Sequence, residues 1–364
     1  MAETAVVRLE KDARKSGSYM PTLDGWRAIA IFSVMVYHES LHHIWGIGTG
    51  WFYANGETGV DVFFAISGIL ICSRLLAEEQ RFGSISLPQF YVRRAFRILP
   101  PAMLYLCVLA LLSALSIIPH VGRDWFGALF FFRNYTRLLG THLVFGGWFT
   151  DHFWSLSVEE HFYLLLPAIL VLTRRKHRLK VLSALIVLVA ISLAVQLRYR
   201  PWTYILFHSD VRLDSLFIPA LVAVLIQRDA LRIWFRRAGQ FWPLTLVAVF
   251  ALITWTPENF GHVFGLALLM PVLVLGTVLN PGTILSRFLE MSPLRFIGRI
   301  SYSLYLWQQL FFTSHFHADA STLGGLQHWP LNYLATFICA LASYHLLEKP
   351  AMHFGHGIAA RLRR

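Results

Sequence analysis

Charge is what this chain has least of: 14% of its 364 residues are Asp, Glu, Lys or Arg, against roughly 25% in soluble domains. With 56% hydrophobic residues, that excludes a soluble enzyme carrying a single anchor and predicts a polytopic membrane protein. Cysteine is also scarce. The three present, Cys72, Cys107 and Cys339, all lie inside apolar runs, and an odd number of thiols there excludes a disulfide framework. No small-residue cleavage site follows the first hydrophobic run, so no removed signal peptide is expected. Acidic residues number 20 against 32 Lys and Arg, for a formal charge of +12. The basic excess sits in short loops between apolar runs, which is a topology signal and not a nucleic-acid signature. A fixed-period repeat, a low-complexity tract and a separate soluble domain are all missing.

What is present is a series of apolar runs of spanning length, near 27–46, 59–77, 99–119, 154–173, 180–198, 211–227, 241–257, 262–280, 300–317 and 331–348. An eleventh candidate, 124–139, is shorter and carries Arg133 and Arg137. The N-terminus, the 74–97 segment, the 173–180, 228–237 and 287–299 loops and the C-terminus are basic, which places them in the cytoplasm. The 40–58 and 140–153 loops contain no Lys or Arg and belong outside. If 140–153 and the end of the third span are both external, 124–139 cannot cross alone and is re-entrant or buried among helices. The expected fold is all-α: a transmembrane bundle of about ten spans plus that one segment, both termini cytoplasmic. Residues 1–18 read as a tail, 19–350 as the membrane domain and 351–364 as a basic tail. Arg198 and Arg200 fall on the outer side and break the charge rule. Tandem prolines, Pro100 and Pro101, fit the first turn of the third span.

Ionisable residues inside such a bundle are expensive and tend to be functional. Arg27 and His38 lie in one run, WRAIAIFSVMVYH. Eleven helical steps bring them to the same face within about 20°, and separate them by about 16 Å. Arg27 then sits near the cytoplasmic surface and His38 in the outer half. Asp61, Glu159, Glu160 and Asp214 share that outer half. Arg93, Arg94 and Arg97 face the cytoplasm, and Arg94 and Arg97, at i and i+3, share a helical face. Guanidinium forks match phosphate geometry and stay charged, which suits a phosphate-bearing donor. RRxxR beside a span also reads as charge that only sets topology. A His near an acidic group suits a general base; helix–helix hydrogen bonding is its other reading. Glu159 and Glu160 are 100° apart, so one of them is expected to cap or pair elsewhere. His42, His43, His142 and His152 read as wetted outer-loop residues, with Glu57 and Asp151 nearby.

These segments resemble the membrane-bound acyltransferase-3 family. Its ordered motifs stand here as LDGWRAIAIFSVMVYH (23–38), GVDVFFAISGILI (59–71), FYVRRAFRILPP (90–101), WSLSVEEHFYLLLP (154–167), RLDSLFIPAL (212–221), IGRISYSLYLW (297–307) and LLEKP (346–350). The resemblance implies an O-acyltransferase that moves an acyl group, usually acetyl from acetyl-CoA, onto a hydroxyl of a glycan, a lipid-linked molecule or a small acceptor, at a bacterial cytoplasmic membrane. It places the essential Arg and His on Arg27 and His38, the cytoplasmic Arg pair on Arg94 and Arg97, the Ser-Gly turn on Ser67 and Gly68, and the Glu pair on Glu159 and Glu160. No metal is implied. His161, Ile69 and Gln308 depart from the family's usual Gln, Phe and His. The expected mechanism holds acyl-CoA phosphates near Arg94 and Arg97 with Arg93 beside them. Arg27 guards the pantetheine arm, His38 is the base, and Glu159, Glu160 or Asp61 orients it.

Two rival readings remain in view. HESLH at 38–42 fits the H-E-x-x-H zinc pattern, and LDG at 23–25 resembles the zinc-ligand motif of intramembrane proteases. Yet Asp24 lies about 21 Å from His38 along one helix, and a Zn–O bond is about 2 Å. A transporter or flippase would line its pathway with the same charges, but no inverted repeat or paired broken helices stand out.

Overall fold

Pro21 stands at the first turn of the first helix, where its missing N–H leaves no hydrogen bond unmade. From there α1 runs over Pro21–His38 and stops where Glu39 turns extended. The computed structural model describes residues 19–39, 55–56, 58–120, 122–136, 147–200, 205, 207–255, 260–312 and 322–362, with helices and no strand among them. After α1 come α2 (Thr58–Phe82), α3 (Leu87–Ala114), α4 (Gly122–Leu129), α5 (Arg133–Thr136), α6 (Phe153–Leu172) and α7 (Arg178–Tyr199). Then follow α8 (Asp214–Leu225), α9 (Asp229–Gln240), α10 (Trp242–Trp255), α11 (Phe260–Leu279), α12 (Ser292–Arg299), α13 (Ser301–Phe311), α14 (Leu331–Ser343) and α15 (Lys349–Arg361).

Five helical segments are long and apolar enough to cross a bilayer: α2, α3, Trp148–Leu172, Arg175–Tyr199 and Gly261–Leu279. A sixth arises if α9 and Trp242–Thr254, bent by 74°, count as one. The all-helical membrane architecture is there; the expected count of ten spans is not reached among the described residues. Helices α8, α13 and α14 have 12, 11 and 13 residues, short of the roughly 20 that span a 30 Å core. An apolar run does not by itself distinguish one continuous span from short helices joined by turns.

The described part of segment 124–139 is not one continuous helix. It is divided between α4 and α5, eight and four residues long, with Phe131 between them at φ 51°. Arg133 is buried and donates to Thr150, Thr136 and the Gly147 carbonyl. Asp124 and Asp151 each lie 3.5 Å from its guanidinium. Paired this way, a charge that would oppose membrane burial instead ties the broken segment to the start of the Trp148–Leu172 helix.

The third helix begins twelve residues before the expected start at 99. It runs from Leu87 straight through Pro100 and Pro101, so the RRAFR stretch is helical and rigid rather than a loop.

Helix α2 is the central element. One side, with Phe64, Ile71 and Leu75, joins the apolar cluster built on α3, α6 and α13. The other, with Val62, Ile66 and Ile69, joins a cluster with Leu266, Met270 and Leu273 of α11. Two close backbone approaches fix the frame. A Cβ on Gly68 would fall 2.5 Å from the Leu216 carbonyl of α8. One on Gly298 would fall 1.8 Å from the Asp24 carbonyl, so α12 presses directly on the first turn of α1. Backbone cannot yield to a methyl group, and overpacking of this kind costs about 1–3 kcal/mol.

Candidate functional site

The helical RRAFR stretch places Arg94 and Arg97 one turn apart, and both open into a cavity between α1, α2, α3, α6 and α13. The cavity holds roughly 780 Å³ of empty space when the open solvent at its mouth is included. Arg27 enters it from α1, Ser67 from α2, and Glu159 and Glu160 from α6. Six of the residues singled out in the sequence therefore meet in one place.

The hydrogen bonds divide them into two groups. Ser67 Oγ donates to Glu159 at 2.6 Å and accepts from the Tyr163 hydroxyl at 3.1 Å. Tyr163 lies four residues after Glu159, on the same face of α6. The Arg94 guanidinium lies 3.8 Å over the Tyr163 ring, a cation–π contact that holds it in plane. Yet among the described residues neither Arg94 nor Arg97 makes a hydrogen bond or ion pair, and Arg94 Nε is buried without a partner. Arg27 differs: Asp24, at i−3, accepts from it at 2.9 Å. The cavity therefore holds two guanidiniums not neutralised by a carboxylate contact, one paired guanidinium, and two carboxylates.

Both neighbouring glutamates line the cavity, although only one was expected to face the site. Their side chains are long enough to reach round 100° of helix toward a wide opening. The α13 side carries Tyr302, which donates to the Ile98 carbonyl at 2.9 Å, and Tyr305, whose hydroxyl lies 2.6 Å from Ser155 Oγ.

His38 is not in the cavity wall. Its Nδ1 lies 2.9 Å from Gln308 Oε1, and its ring stands edge-on to Trp148 at 5.6 Å. Gln308 is three residues past Tyr305, about 5 Å further along α13. The order Ser301, Tyr302, Tyr305, Gln308 on α13 runs beside the order Arg27 to His38 on α1. His38 therefore lies beyond the cavity, one turn of α13 past Tyr305 of its wall.

The remaining candidates lie elsewhere. Asp61 is buried and accepts from Arg212 at 2.6 Å; it touches neither the cavity nor His38. Breaking such a buried pair costs about 3–5 kcal/mol. Asp214 turns one oxygen to its own Ser215. Arg93 faces away and pairs with Glu78 at 3.3 Å. Gly68 serves the α2–α8 contact rather than the cavity. Of the zinc-like pattern, Glu39 accepts from Asn332 at 3.1 Å, and His42 lies outside the described residues. His43, His142 and Glu57 lie outside them as well. His152, expected to be wetted, is 2% exposed, and neither ring nitrogen has a hydrogen-bond partner among the described residues. It is enclosed by Tyr105, Phe153 and Tyr305.

Sequence reasoning missed three partners. Asp24 is visible from its i, i+3 spacing to Arg27, and Tyr163 from its i, i+4 spacing to Glu159. Gln308 stood out only as a departure, with nothing in the sequence joining it to a residue 270 positions away.

The model of a family described as "Acyltransferase domain" matches residues 20–345. The chain is similar to O-acetyltransferase OatA of Staphylococcus aureus (strain NCTC 8325 / PS 47), 29% identical over 370 residues, covering 94% of this chain and 58% of the relative. It is also similar to the putative O-acetyltransferase SAS0844 of Staphylococcus aureus (strain MSSA476), 30% identical over 360 residues, covering 92% and 58%. The chain thus spans less than two thirds of the length of these relatives. No solved structure matches.

Proposed function

The chain belongs to the acyltransferase-3 family, and from that premise we propose that it is a membrane O-acyltransferase moving an acyl group, most simply acetyl, from acyl-CoA to a hydroxyl acceptor. The observation that carries this reading is the convergence of Arg27, Arg94 and Arg97 on one cavity, with His38 held against Gln308, one turn past Tyr305 of the cavity wall. Two guanidiniums without a carboxylate partner among the described residues, one with a buried orphan Nε, suit the phosphates of a CoA ester. Both S. aureus relatives carry the name O-acetyltransferase, which favours acetyl and an ester-forming acceptor such as a glycan.

The donor enters from the basic, cytoplasmic face of a bacterial inner membrane, which also holds both termini. Arg94 and Arg97 hold its phosphates while Tyr163 keeps Arg94 flat. Arg27, held by Asp24, borders the path of the pantetheine arm. The thioester reaches past Tyr305 toward His38. His38 takes the proton of the acceptor hydroxyl as its oxygen attacks the thioester carbonyl. The C–S bond then breaks, the CoA thiolate leaves, and the imidazolium returns the proton to it. Ser67 and Glu159 form a polar wall that orients the donor. The acceptor is a glycan, a lipid-linked molecule or a small hydroxyl compound reaching His38 from the outer side.

The test is acetyl transfer from acetyl-labelled acetyl-CoA by membranes containing the protein, supplied with a bacterial envelope extract. Label should move to the extract in a linkage that mild alkali cleaves, as for an ester. Label that resists alkali, or transfer unchanged by excess CoA, would refute the reading.

A further inference from the structure

We propose that Gln308 and Gln309 form a one-way hydrogen-bond relay, anchored on the Trp148 backbone carbonyl, that fixes His38 as its Nδ1–H tautomer and leaves Nε2 as the basic nitrogen. The assignment starts at the far end. Gln309 Nε2 lies 3.0 Å from the Trp148 carbonyl oxygen. A carbonyl only accepts, so the amide atom facing it is the NH2 group. Gln309 Oε1 therefore faces the other way, toward Gln308, whose Nε2 lies 3.1 Å from it. That orientation turns Gln308 Oε1 toward His38, where it lies 2.9 Å from Nδ1. An amide oxygen also only accepts, so Nδ1 carries the proton. In neutral imidazole the other nitrogen, Nε2, is then the lone-pair nitrogen.

The relay cannot readily run in reverse. Gln308 and Gln309 are both fully buried, so water does not offer their amides an alternative partner. Flipping Gln309 would set its oxygen against the Trp148 carbonyl, two acceptors in contact with no proton between them. The anchor itself is clamped: the Trp148 indole N–H donates to the carbonyls of Gln309 at 3.1 Å and Phe312 at 2.9 Å. Those carbonyls belong to the last turn of α13 and to Phe312, the residue that caps it, where intrahelical donors run out. The same Trp148 ring stands against His38. One residue thus closes the end of α13, fixes the polarity of the relay and sets the tilt of the imidazole.

This rests on the proposed role of His38 as base, to which it adds the reactive nitrogen and a positioning residue, Gln308. It assigns to a neutral amide the orienting task that the sequence suggested for Asp61 or the glutamates.

The test is the tautomer itself, read from the ring nitrogen resonances of full-length protein in nanodiscs labelled with nitrogen-15 histidine. His38 is identified by the signals lost in His38→Ala. The wild type should show Nδ1 protonated and Nε2 bare. Gln308→Glu, whose carboxyl is neutral in so buried a place and so still donates to Gln309 and accepts from Nδ1, should keep that state. Gln308→Met should bring in the Nε2–H form. In transfer assays Gln308→Met should lower kcat roughly tenfold, within the range by which supporting hydrogen bonds affect histidine function, with KM for acetyl-CoA within about twofold, and Gln308→Glu should restore most of it. A wild-type spectrum dominated by the Nε2–H form would overturn the relay, and so would a Gln308→Met spectrum identical to the wild type. The wild-type spectrum decides this even if a variant fails to fold. Loss of the base reading would look different: His38→Ala would retain transfer while the wild type still showed Nδ1–H.

Discussion

His38→Ala is expected to lower acyl transfer by about a hundredfold to ten-thousandfold, the range a positioned general base supplies, while the protein still inserts and purifies as a folded species. The folding cost is limited. Truncation leaves the Gln308 oxygen without its His38 donor in a buried setting, a loss of about 1–3 kcal/mol, and the relay beyond it keeps its Trp148 anchor. His38→Gln sharpens the result. It can still offer an amide N–H toward Gln308 but has no basic nitrogen, so it should be as inactive as alanine. Transfer assays on purified protein, beside size-exclusion profiles and thermal melts, check both halves. Near-normal transfer by His38→Gln would remove the imidazole from the chemistry.

The second large effect concerns the donor. Arg94→Ala combined with Arg97→Ala should raise KM for acetyl-CoA by roughly a hundredfold, from two lost charge-assisted hydrogen bonds at about 1.5–3 kcal/mol each, less what water recovers. Turnover at saturating donor should change little, because the phosphates lie far from the thioester and are held equally before and during reaction. The substitution removes no ion pair from the folded protein, since neither arginine makes one among the described residues, so a stability loss should not obscure the kinetics. Arg93 is the internal control. It is tied to Glu78 at 3.3 Å, and Arg93→Ala should leave KM near the wild-type value. A uniform effect of all three substitutions would mean that the stretch acts only through net charge.

Much of the site was legible because it depends on short-range helical arithmetic. The i, i+3 spacing of Arg94 and Arg97 and the intramembrane positions of Arg27, Glu159 and Glu160, with Ser67 supplied by the family resemblance, led to residues that converge on one cavity. What depended on long-range contact was not legible. Asp61 is conspicuous in sequence, but its partner Arg212 stands 151 positions away, and the pair lies outside the cavity wall. Gly68 follows a site residue, yet its lack of a side chain serves the passage of α8. The tandem prolines suggested a helix start at 99, but α3 carries them internally, which gives the arginines a rigid support. The span count failed for a related reason: composition shows which stretches avoid water, not how often a helix breaks within them. His152 looked wetted because it lies beside a polar loop; its aromatic neighbours come from α3 and α13.

The most direct measurement is competition for labelled acetyl-CoA on the wild-type protein in nanodiscs, with CoA against pantetheine, which shares the thiol arm but lacks the nucleotide phosphates. If Arg94 and Arg97 grip phosphate inside this cavity, CoA should displace the label at concentrations roughly a hundredfold lower than pantetheine, and added salt should narrow the gap only modestly, because a partly buried site is weakly screened. Equal displacement by the two compounds, or no saturable binding of acetyl-CoA, would contradict the assignment of the cavity as the acyl-donor site.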